Sequence, residues 1–131
     1  MKVFISYSSA DRSFAERLEN RIRALGVDIL SDESSFKPGK NIDGALREAL
    51  EASDGVVLVV PAPGTARANN AFFEVGAARA LGKPVIAVIP SPEASRVREL
   101  PADMYELAVF DGSRINSEAL AKSIVTALEA A

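Results

Sequence analysis

The chain has 131 residues, 48% of them hydrophobic, and a formal charge of -3, which supplies enough apolar material to cover a sheet with helices on both faces and leaves no room for a second domain beside the one expected over 1–131. It contains no cysteine and no histidine, so disulfides, thiolate nucleophiles, zinc sites and an imidazole base are excluded, no metal is expected, and any chemistry must use carboxylates, hydroxyls, lysine or backbone dipoles. Lysines and arginines are scattered among acids, so nucleic acid is not an expected partner; no apolar run approaches the roughly 20 residues of a membrane helix, and Met1–Ser6 resembles a strand rather than a leader, so a cytoplasmic chain with no membrane partner is expected.

Strand and helix signals alternate from end to end. Val3-Phe4-Ile5 is a short apolar run, and Phe14, Leu18, Ile22 and Leu25 then recur at helical spacing on one face. Asp11 or Ser9 is the expected N-cap, Gly26 the closing residue, and Arg17, Glu19, Arg21 and Arg23 mostly fall on the outer face. Val27 to Leu30 is a second strand. Asp32 to Lys40 is polar and broken by Pro38-Gly39, which predicts a loop. Helical periodicity restarts at Ile42, Ala45, Leu46, Ala49 and Leu50.

Val56 to Val60 is apolar at every position, as suits a strand covered on both faces in the centre of a parallel sheet. Pro61 to Asn69 is a second loop. Phe73, Gly76, Ala77, Ala80 and Leu81 mark a helix closed by Gly82, and Pro84 introduces a fourth strand, Val85 to Ile89. Pro90 to Met104 predicts a loop with a turn of helix, Leu107 to Phe110 an edge strand, and Leu120, Ile124, Val125 and Leu128 a final helix. The fold class implied is a three-layer α/β/α, flavodoxin-like doubly wound parallel sheet with five strands in the order 2-1-3-4-5.

Such sheets bind ligands beyond the carboxyl ends of their strands, where the winding reverses. That singles out Ser6 to Asp11, Ser31 to Lys40 and Pro61 to Asn70. No glycine-rich phosphate loop follows the first strand, and Val60-Pro61 stands where a phosphoacceptor receiver would need an aspartate. Glu74 comes soon after the third-strand loop, next to Phe72-Phe73. Two uses fit it: a functional carboxylate at the edge of the sheet, or an acid in a first helical turn that complements the helix dipole.

Three stretches, in order, resemble the Toll/interleukin-1 receptor (TIR) domain family, and the resemblance covers essentially the whole chain. Phe4 to Asp11 looks like the family's first box. Ser31-Asp32 through Phe36-Lys37-Pro38-Gly39-Lys40 looks like its BB loop. Phe73-Glu74-Val75-Gly76 through Pro84-Val85-Ile86 is similar to the helix and strand that carry the catalytic glutamate in bacterial members. Many members have a serine six and a tryptophan four residues before that glutamate, where this chain has Ala68 and Asn70. Asn69 to Gly76 also looks like nucleoside deoxyribosyltransferase-like relatives, which use a glutamate at this turn to cut an N-glycosidic bond.

The resemblance implies an NAD⁺ glycohydrolase or ADP-ribosyl cyclase, a bacterial immune or signalling effector that takes NAD⁺ as substrate and needs no cofactor. Glu74 is the implied catalytic residue. Ser6, Tyr7, Ser8, Ser9, Asp32, Phe36, Lys37, Asn70 and Phe72 are the implied substrate-binding set. The first four equally fit turn and capping roles, and Phe73 fits the core. Phe36, Lys37, Pro38, Gly39 and Lys40 are the implied surface for self-association or docking to other TIR domains, although an ordinary exposed connection with solvated lysines also fits. Two other classes stay open: a non-catalytic TIR interaction module, and a deoxyribosyltransferase-like enzyme acting on nucleosides or nucleotides.

Overall fold

A computed structural model of the chain describes residues 1–7, 11–31, 48–60, 78, 80–90, 108–111 and 116–130. Among them, β1 (Lys2–Ser6), β2 (Asp28–Ser31), β3 (Gly55–Val59), β4 (Val85–Ile89) and β5 (Ala108–Asp111) form a parallel sheet in the order β2-β1-β3-β4-β5. The α/β class and the parallel sheet expected from the sequence are what the chain adopts. In register, Ile5 stands beside Ser31 on one side and Val57 on the other, and Val59 stands beside Val88. The chain leaves β1 towards β2 and then crosses back to β3, so the winding reverses between β1 and β3.

Side chains alternate between the two faces of a strand, and both faces are dry. On one face Val3, Ile5, Val57, Val59, Ile86 and Val88 pack against α1 (Arg12–Ala24) and α2 (Ser117–Ala130) through Leu18, Ile22, Leu120 and Ile124. On the other, Phe4, Val56, Leu58, Val60, Val85 and Ala87 pack with Ala49 and Leu50 from helical residues 48–52 and with helical Ala78. Every residue of β3 is buried, which is why its sequence shows no polar alternation. Each fully buried Leu, Ile, Val or Phe contributes about 1.5–3 kcal/mol by leaving water, so this double-sided core is the main source of stability.

The helix ends follow from local chemistry. α1 stops because Gly26 takes φ +85, a left-handed conformation costly for other residues, and its N–H donates to Arg23 O at 2.9 Å. The helix that includes Ala78 closes on Gly82 at φ +73, with Lys83 N donating to Ala78 O at 3.0 Å across the turn, the six-to-one bond of a Schellman end. α2 begins at an Asn cap: Asn116 Oδ1 accepts from Ala119 N at 2.8 Å and Glu118 lies in the first turn, where the dipole favours a negative charge. At the amino edge of the sheet, Lys2 N donates to Asp54 Oδ2 at 2.8 Å and Asp54 N to Lys2 O at 2.7 Å.

Several sequence expectations need correction. Leu25 is not on the buried face of α1: it is the C-cap residue and 41% exposed, because the helical turn ends before it can swing inward. Glu19 is not on the outer face: it is buried, with Arg23 Nη2 at 3.8 Å from its carboxylate, since it lies one residue from Leu18 on the flank of the core-facing stripe. Ala80 and Leu81 are exposed, and among the described residues Ala78 is the inward one of that helix end. Ser6 belongs to β1 rather than to the loop after it. Asp11 is the N-cap position of α1, but its side chain makes no capping bond to the first turn. The expectations at Ile42, Ala45, Leu46, Phe73, Gly76 and Ala77, and in Pro90 to Met104, lie outside the described residues.

Candidate functional site

The candidate site is placed by the carboxyl ends of β1 and β3, the two strands that flank the reversal. β1 ends at Ser6, in register with Leu58, and β3 runs one residue further, with Val60 N still donating to Val88 O at 2.9 Å. The connections that leave these ends carry residues 8–10 and 61–77, so Ser8, Ser9, Asn70, Phe72 and Glu74 are all in chain segments that start at this edge. β2 ends beside Ile5 at Ser31, and the segment with Asp32, Phe36, Lys37, Pro38, Gly39 and Lys40 follows it directly. These eleven residues lie outside the described ones.

Ser6 and Tyr7 are described, and both are buried. Alternation puts Ser6 on the Phe4 face, which it shares with Ala78, whereas Tyr7 packs in the opposite core with Val3, Ile5 and α1. Ser6 is 0% and Tyr7 8% exposed. Three polar or charged residues are buried among the described ones: Ser6, Glu19 and Ser53. Ser53 Oγ donates to Leu50 O at 2.8 Å and ends a helix at the amino edge, and Glu19 sits mid-helix in α1. Ser6 is the one at the carboxyl edge. Its burial was not legible in the sequence.

The amino end of α1 also opens at this edge. No acidic residue occupies its first turn, which begins with Arg12. The positive end of a helix dipole favours an anion such as a phosphate. With no histidine or cysteine in the chain, covalent or acid-base steps at this edge fall to carboxylates, hydroxyls or lysine.

The family model for the TIR domain matches residues 3–130. Among solved structures, a CMP N-glycosidase of Clostridium botulinum, BcmB, is similar at a TM-score of 0.60 and 15% identity, covering 96% of this chain and 99% of that one. The TIR domains of the activated Roq1 resistosome, which directly recognises the pathogen effector XopQ, are similar at 0.60 and 20% identity, over 96% of this chain and 70% of that one. A prokaryotic SEFIR domain is similar at 0.60 and 14% identity, over 97% and 96%. No curated protein matches the chain. At these identities the structural likenesses show the fold, and the family model, running almost from end to end, shows that the chain belongs to the TIR domain family.

Proposed function

We propose that this chain is an NAD⁺ glycohydrolase or ADP-ribosyl cyclase of the TIR type, acting as a cytoplasmic immune or signalling effector, with Glu74 as its catalytic residue. The observation that carries the reading is the TIR match over 3–130 together with the sheet winding, since Glu74 stands in the segment that leaves β3 at the reversal and precedes helical Ala78 by four residues.

Hydrolysis of most glycosides needs one carboxyl group to protonate the leaving group and another to stabilise or capture the oxocarbenium-like centre. NAD⁺ relaxes the first need. When the bond between the ribose anomeric carbon and the pyridinium nitrogen breaks, its electron pair goes to nitrogen and nicotinamide departs neutral. One carboxylate then suffices: Glu74 holds the ribose hydroxyls and offsets the positive charge developing at the anomeric carbon. Water adds to that carbon and loses a proton to give ADP-ribose; capture by an adenine nitrogen gives the cyclic product instead. Ser8 and Ser9, beside the amino end of α1, suit the phosphates. Asp32, Phe36, Lys37, Asn70 and Phe72 supply the other contacts, with Phe36 or Phe72 taking the ring-stacking place that Asn70 does not fill.

A second reading is an N-glycosidase or deoxyribosyltransferase-like enzyme acting on a mononucleotide or nucleoside. It is favoured by the near-complete overlap with a CMP N-glycosidase, since that protein's name refers to the same class of bond. A third is a non-catalytic module that assembles through residues 36–40, favoured by Ala68 and Asn70 and by likeness to the resistosome TIR domains. One experiment separates all three. Concentrated protein is incubated in parallel with NAD⁺ and with CMP, and released nicotinamide, cytosine and nucleotide products are resolved by chromatography. Nicotinamide release from NAD⁺ supports the first reading, and cytosine release alone transfers the chain to the second. Release of neither base, from protein shown to be assembled, leaves the third.

A further inference from the structure

We draw no further inference here: the strongest candidate, the amino end of α1 at the carboxyl edge of the sheet, where the first turn begins with Arg12 and holds no acidic residue, has no second observation that points to a ligand.

Discussion

Gly55 opens β3, and Leu128 of α2 packs directly over it. A Cβ built there would stand 2.6 Å from Leu128 Cδ2 and 3.4 Å from its Cδ1, and Leu128 is itself in the core. Gly55→Ala is therefore expected to cost about 1–3 kcal/mol through overpacking, and clearly less in a Leu128→Ala background, where the space already exists. Urea unfolding of the four proteins measures this coupling, and an equal cost in both backgrounds would mean that α2 does not seat on Gly55. Asn116 offers a cleaner single-residue test. Asn116→Ala removes the acceptor for Ala119 N and is expected to lose about 1 kcal/mol, while Asn116→Asp, which keeps an acceptor and adds a favourable charge, loses little. The exposed pair Lys122–Glu118 at 3.4 Å should contribute far less than this cap, because solvent screens it.

At the scale of elements, the two left-handed glycines decide where helices stop. Gly82→Ala is expected to cost about 1–2 kcal/mol because a Cβ is strained at φ +73, although the open space around the site gives it nothing to strike. Thermal unfolding reads the loss, and an unchanged midpoint would argue against a left-handed residue there. These ends were visible in the sequence because glycine after a periodic run has one strong physical use. β3 and β4 were visible because only a strand covered on both faces tolerates such runs as Val56 to Val60.

Other features were hidden for equally physical reasons. Leu25 continues the apolar spacing of Phe14, Leu18 and Ile22 one step beyond the last helical hydrogen-bonded turn, and spacing alone does not show where the turn stops. Glu19 looks like a surface residue by type, yet it sits on the core-facing flank of α1. Around Ala78 and Ala80 the alanines carry no amphipathic contrast, so the inward position was not readable. The edge location of the candidate site followed from strand order and is general to doubly wound sheets. The assignment of Glu74 followed from family resemblance, because an acid after a strand loop equally suits a helix dipole.

Taken as a whole molecule, the domain joins a double-sided core to three connections that leave the carboxyl ends of β1, β2 and β3 at the same edge of the sheet. Among the described residues no helix is long and apolar enough to cross a membrane. If assembly through residues 36–40 is part of the activity, turnover per molecule is expected to rise with protein concentration and to level off once assembly saturates. Lys37→Glu is then expected to flatten that rise without lowering the unfolding midpoint. Sedimentation and rate measured on the same samples test this, and a rate strictly proportional to concentration would show that single copies suffice.

In the proposed reaction one carboxylate, Glu74, drives cleavage of the N-glycosidic bond. The most direct measurement compares nicotinamide release from NAD⁺ by the wild-type chain and by Glu74→Gln at equal, high concentration, with matching circular dichroism spectra and unfolding midpoints as the control for folding. The wild-type protein is expected to release nicotinamide and the variant to lose at least about 100-fold of that activity, the scale expected when a group that stabilises transition-state charge is removed. Equal release by both folded proteins would contradict that role of Glu74.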